Sequence, residues 1–183
     1  MSGFTMEMDV SGLLRQIDEW DAAVEEAVRP SAQAGAQVVY NVVKANVNAL
    51  GRKSGNLAAS IYQVYSADNS GRRRAEYHVS WNNKKARHGH LIEYGYVQPY
   101  VVYVDRRGRW RTKVRPEMRG KPPPKGEGAK ASYYVPLPGG PRLVAPKSFL
   151  RSARTPGINA KARRAMVDKF LEIFDMRIKG SRR

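Results

Sequence analysis

The apolar residues of this chain change period near residue 60, and that change constrains the fold more than any single motif does. Leu13, Ile17, Trp20, Val24 and Val28 recur at helical spacing, and Val39, Val42, Val43, Val47 and Leu50 do so again. Ser11 is placed to cap the first helix, and Pro30 predicts an interruption or kink near residue 29. The valines of the second run also suit a strand, but their spacing marks one helical face. Gly51, in "NALGRKSGN", is placed for a left-handed C-terminal cap. From Ile61 the pattern alternates instead, "IYQVYSA" and "RAEYHVSW" around Gly71, then "YVVYVD" and "RWRTKV" around Gly108, predicting two β-hairpins. "SYYVPLP" is expected to return the chain to the sheet. Val167, Phe170, Leu171, Phe174 and Ile178 give a last helix one apolar face, ended by Gly180 and a short basic tail at 180–183. The expected fold is α+β, long helices packed against an antiparallel β-sheet built from hairpins, in a single domain over residues 1–183.

Residues 115–130, "RPEMRGKPPPKGEGAK", carry prolines, glycines and five basic residues without periodicity. They read as the greater part of an extended basic Pro/Gly-rich loop or arm at about 106–130 that builds no core of its own, mobile in the free protein and ordered by an acidic partner. Charge is uneven along the chain. Residues 1–50 hold 3 Lys or Arg against 7 Asp or Glu, and residues 51–183 hold 30 against 9. A concentration of one sign points to nucleic acid, an acidic protein surface or the acidic end of a neighbouring copy as partner. Cysteine is absent, which removes disulfides, thiolate zinc sites and thiol nucleophiles together and makes the cytosol the default compartment. No run of about 18 apolar residues suggests a membrane span, and "MSGFTMEMDV" lacks the pattern of a signal peptide.

The stretch "HGHLIEYGY", residues 88–96, concentrates chemistry in a chain otherwise short of it. A metal reading of His88, His90 and Glu93 needs both strand and helix geometry at once: histidines at i and i+2 diverge on a helix, while a glutamate at i+3 requires one. His78 is the only other histidine. The glycines fit no phosphate-cradling loop and the serines no nucleophile elbow, so cofactors, metals and catalysis are not expected. Nucleic-acid binding has more behind it. Residues 106–130 carry ten Lys or Arg against two acids, and Trp110, Tyr133 and Tyr134 could stack on bases. The same features also suit docking on an acidic protein neighbour.

Three stretches in order, "SGNLAASI" (54–61), "HGHLIEYGY" (88–96) and "APKSFLRSA" (145–153), resemble the neck and tail-completion proteins of long-tailed bacteriophages, known also as minor tail or head-tail joining proteins. The order matches across roughly residues 10–175, with Tyr96 where a small hydroxyl residue is usual and Lys147 and Ser148 around an expected Arg-Pro. The 106–130 insertion is longer and more basic than the minimal pattern. The resemblance implies a non-enzymatic virion protein at the head-tail junction, assembled in the bacterial host cytoplasm as a hexameric ring around the DNA channel. Its implied partners are further copies of itself, a head-side connector or head-completion protein, and a tail-side terminator or tube protein, with non-specific contact with packaged DNA and no membrane. The rival reading is a nucleic-acid-binding regulator that uses the basic hairpin and arm.

Under this reading Gly55, Asn56, Leu57, Gly95, Pro146, Phe149 and Leu150 are structural, with Asn56 capping a short helical turn and Phe149 and Leu150 anchoring the start of the last helix. His90, Glu93, Tyr94, Tyr96, Arg106, Arg107, Arg109, Trp110 and Arg111 are the expected subunit or partner interface. Glu93 is expected to accept hydrogen bonds from backbone or from an adjacent subunit's arginine. Acidic residues 7–26 are expected to meet the basic region of the next subunit, a heterologous contact that closes a ring.

Overall fold

The computed structural model describes residues 11–51 and 55–181. It is α+β, with a long helix packed on a small antiparallel sheet, and it divides into two compact units, residues 1–89 with 149–183, and residues 90–148.

In the first unit, helix α1 (Ser11–Ala49) runs 39 residues and carries Pro30 inside it. The expected interruption at residue 29 does not occur. Proline removes one backbone donor, the one that would bond the Glu26 carbonyl, and the next residue adds a local bond of its own, the Ser31 hydroxyl donating to the Ala27 carbonyl at 2.6 Å. What carries the helix through is a shared partner for both halves. Ala23, Ala27, Ser31 and Gly35, each four residues after the last, form a buried row of small residues, and the final helix α5 (Pro156–Ser181) packs closely on α1. A Cβ at Gly35 would lie 2.4 Å from Met166 Cγ and 3.2 Å from the Ala162 carbonyl oxygen, so the two backbones approach where only glycine leaves room. The helices are antiparallel: Asn46 Nδ2 donates to the Phe149 carbonyl at 2.9 Å and to Ser152 Oγ at 3.0 Å, while Arg177 sits 3.6 Å from Glu26 at the other end.

Gly51, at φ +82°, ends α1 as expected. Ser54 lies outside the described residues. Gly55, at φ +76°, holds the N-cap position of helix α2 (Asn56–Ser60), and Asn56 is the first residue inside it. The capping role expected of Asn56 therefore passes to the glycine backbone, whose conformation an asparagine side chain does not replace. Leu57 is buried, and Lys44 Nζ closes the turn onto the Ala58 carbonyl at 2.8 Å. Strands β1 (Ile61–Tyr65) and β2 (Tyr77–Trp81) then pair antiparallel, Ile61 opposite Trp81 and Tyr65 opposite Tyr77. Alternation assigns their faces. Ile61 is buried while Tyr62 and Val64 point outward, and the Arg29 guanidinium lies 4.3 Å over the Tyr65 ring. Phe149, fully buried, meets Trp81 edge-on at 5.6 Å, and Ala153 is buried beside the start of α5. Leu150 is half-buried, so Phe149 carries most of the expected anchoring.

Helix α3 (Gly89–Tyr94) leads into the second unit, where strand β3 (Tyr96–Gln98) pairs with β6 (Arg142–Val144) and β4 (Val102–Val104) pairs with β5 (Trp110–Thr112). "SYYVPLP" does rejoin the sheet region, through bridges of Tyr134 with Val114 and Pro136 with Tyr100. Residues 115–130 depart from the expected loop. Pro116–Met118 form a 3-10 turn and Glu127–Tyr133 form helix α4. Tyr133 is buried, its hydroxyl donating to the Lys121 carbonyl at 2.6 Å, and Arg115 reaches the carbonyls of Ala131 and Tyr134, both at 3.2 Å. Side-chain bonds to backbone and a tyrosine cluster supply the anchor that periodicity did not reveal.

Candidate assembly surface

The α3 turn brings two of the sequence motifs together. Gly95, at φ +76°, closes the helix with its N–H donating to the Leu91 carbonyl at 2.9 Å. A Cβ there would lie 2.7 Å from the Val144 carbonyl oxygen and 2.9 Å from the Pro146 nitrogen, so "EYG" and "APK" share one close backbone contact. The Lys147 N–H donates to the Ile92 carbonyl at 2.8 Å, and Ser148 stands at φ +44° with its hydroxyl 3.4 Å from the Glu93 carbonyl. Pro146 thus fixes the approach by packing on Gly95, a contact between residues distant in sequence that neither motif discloses alone.

Glu93 is fully buried. A neighbouring subunit's arginine cannot reach its carboxylate here, so its role belongs inside the chain rather than at an interface. His88 and His90 are exposed while Glu93 is not, and no cluster of metal-ligating side chains occurs among the described residues. Tyr94, 62% exposed, and Tyr96 do face outward. Beside them the sequence reading missed Val97 and Leu143, which are opposite each other on β3 and β6 and stand 59% and 74% exposed. Strands of three residues carry too little alternation to have revealed that pair.

The β4–β5 ribbon holds the rest of the expected interface. Its turn is organised by Asp105: Oδ1 accepts from the Arg107 and Arg109 N–H groups at 2.9 and 2.8 Å, and Oδ2 lies 3.1 Å from Arg109 Nε and 3.3 Å from Arg111 Nε. Gly108, at φ +72°, completes the turn. The backbone N–H of Arg109, then the Arg111 side chain and the remaining donors, hold the Asp105 carboxyl down at about 2 against the opposing effect of desolvation. Val104 opposite Trp110, with Val102 two residues away, gives the ribbon one apolar face, and Tyr103 opposite Arg111 gives it another of mixed character. All of these side chains are exposed, as are Arg106, Arg107 and Arg109. Of the three aromatics expected to stack on bases only Trp110 is so placed, because Tyr133 is buried and Tyr134 packs between Tyr100 and Tyr133.

The helices carry a second exposed apolar surface. Leu14, Ile17 and Trp20 of α1 are exposed, and so are Val167 and Leu171 of α5, two members of its predicted apolar face. The small residues of α1 bring α5 close on a narrow line, and these bulkier side chains fall outside it. The acidic stretch is partly spent within the chain: Asp21 pairs with Arg72 and Arg73, Glu25 with Arg72, and Glu26 with Arg177. Glu7 and Asp9 lie outside the described residues, and Asp18 and Glu19 make no ion pair among the described ones.

Residues 11–95, just under half of the chain, match the family model described as "Bacteriophage HK97-gp10, putative tail-component". No curated protein and no solved structure matches. The matched stretch runs through α1, α2, the β1–β2 hairpin and α3 to Gly95, and so contains the first of the three motifs on which the phage resemblance stands and all of the second but Tyr96. Over residues 11–95 this chain is similar to the HK97-gp10-like family of bacteriophage tail components, a match that supports a structural phage protein.

Proposed function

We propose that the protein acts at the head-tail junction as a neck or tail-completion component, forming a hexameric ring around the DNA channel without catalysing a reaction. The observation that carries this reading is the distribution of apolar side chains. Large ones remain exposed on α1, on α5, on the β3–β6 pair and on the β4–β5 ribbon, while much of the fully buried core is alanine. A lone soluble domain rarely leaves that much apolar surface in contact with water, whereas a subunit that is covered on several sides does so routinely. The tail-component family supports a place in the virion, and the ordered motifs support the junction within it.

Each subunit would join its neighbours laterally and meet a head-side connector or head-completion protein and a tail-side terminator or tube protein at its ends. The basic excess of residues 51–183 suits non-specific contact with packaged DNA. Native mass spectrometry of the purified protein and a reconstruction of the assembled virion test the reading. A hexamer in solution and a ring of density between head and tail are expected. A chain that stays monomeric and never enters particles overturns it.

A further inference from the structure

We infer that the β4–β5 ribbon of one copy seats on the first half of α1 of a second copy. The inference rests on the ring reading and names the contact that would close the ring. A two-stranded ribbon has little stability of its own in water, and this one exposes Val102, Val104 and Trp110 on a single face. The start of α1 offers a matching surface: Leu14, Ile17 and Trp20 recur every three residues along one stripe and are exposed.

Charge selects this pairing. Among the carboxylates of α1, Asp21, Glu25 and Glu26 are engaged by arginines of the same chain. Asp18 and Glu19, which stand between the exposed apolar residues in sequence, make no ion pair among the described residues. On the ribbon Asp105 holds Arg109 and Arg111, whereas Arg106 and Arg107 make no ion pair among the described residues. Asp18 stands at the edge of the stripe and Glu19 on the side toward Arg177, so this end of α1 carries uncommitted charge opposite in sign to that of the ribbon tip. Because helix and ribbon are different surfaces, every copy donates one and receives the other, and the contact repeats until the ring closes.

Charge reversal and cross-linking test the contact in the full chain. Asp18→Arg with Glu19→Arg, and separately Arg106→Glu with Arg107→Glu, should each raise the concentration at which the oligomer dissociates by about tenfold or more. All four changes in one chain should restore assembly, with the circular dichroism spectrum unchanged throughout. The natural chain has no cysteine, so Ile17→Cys with Val104→Cys should give a ladder of disulfide-linked multimers under mild oxidation. If the wild-type protein assembles but neither reversal weakens it, or if the cysteines link only within single chains, the inference falls and the ring reading stands. If the wild-type protein stays monomeric, both fall. Ribbon reversal that abolishes retention on DNA and leaves the oligomer intact would assign the ribbon to nucleic acid and overturn the inference.

Discussion

Substituting Gly95 by alanine separates two costs that usually arrive together. Gly95 and Gly108 both lie in the second unit, at φ +76° and +72°. Placing a Cβ in that conformation costs about 1–2 kcal/mol in either case. Their surroundings differ. Around Gly108 nothing lies within 4 Å of the added carbon, whereas at Gly95 it would meet the Val144 carbonyl oxygen at 2.7 Å, the Pro146 nitrogen at 2.9 Å and Pro146 Cδ at 3.0 Å. Two of those atoms are backbone and the third is in a proline ring, so no flexible side chain can swing away. Relief requires β6 or the 145–148 segment to move, at a further cost of about 1–3 kcal/mol. Gly108→Ala should therefore lose about 1–2 kcal/mol, and Gly95→Ala about 2–5 kcal/mol, in urea titrations of the two variants. Hydrogen exchange should accelerate at residues 96–98 and 142–144 in Gly95→Ala alone. Equal losses in the two variants would refute the close approach of the two motifs.

Phe149→Ala empties a fully buried site against Trp81 and should cost about 3–5 kcal/mol, read as a lowered urea midpoint. Tyr133→Phe removes the hydrogen bond to the Lys121 carbonyl; a loss of about 0.5–1.5 kcal/mol and faster proteolytic cleavage within residues 119–126 are expected, and unchanged cleavage would detach that segment from the fold. Asp105 has a folded pKa below its ordinary 3.8, so its contribution to the ribbon is present above about pH 4 and is lost as the pH falls toward about 2. NMR of the Arg107 and Arg109 amides should follow that window, and Asp105→Asn should abolish the pH step. Pro30→Ala restores a helical donor and removes a ring clash worth about 3 kcal/mol, less about 1 kcal/mol from a freer unfolded chain, so a gain of about 2 kcal/mol is expected. Thermal unfolding that shows a loss instead would mean the helix is built around the proline.

The features legible in the sequence were those fixed by local rules. Spacing identified α1 in two pieces, alternation identified β1, β2, β4 and β5, and Gly51 and Gly108 were read as backbone positions, which their positive φ angles bear out. The errors share a cause: the deciding partner is distant in sequence. Pro30 interrupts or kinks a helix by local reckoning, yet α1 is not interrupted, and the small-residue row from Ala23 to Gly35 gives both halves the same neighbour in α5. Residues 115–130 lack periodicity, yet Tyr133 and Arg115 tie them down through single bonds to backbone carbonyls. Glu93 was expected at a subunit or partner interface, and nothing local to "LIEYG" announces its burial.

The same distinction bears on where specificity resides. The family match ends at Gly95, so it covers the long helix, the first hairpin and the α3 turn but none of the β4–β5 ribbon. Within the matched stretch the motif glycines act on the backbone: Gly55 opens α2, and Gly95 admits Pro146. Outside it lie Arg106, Arg107, Arg109, Arg111, Trp110 and both members of the Val97–Leu143 pair, whose side chains face outward. A scaffold fixed by glycine geometry can keep its fold while the ribbon changes length and charge, because the ribbon's own turn is secured by Asp105 from within. Lengthening and charging that ribbon alters which surfaces can meet it while its own turn stays secured. Under the proposed ring, the β4–β5 ribbon, which lies wholly outside the matched stretch, is thus the element best placed to set the choice of partner.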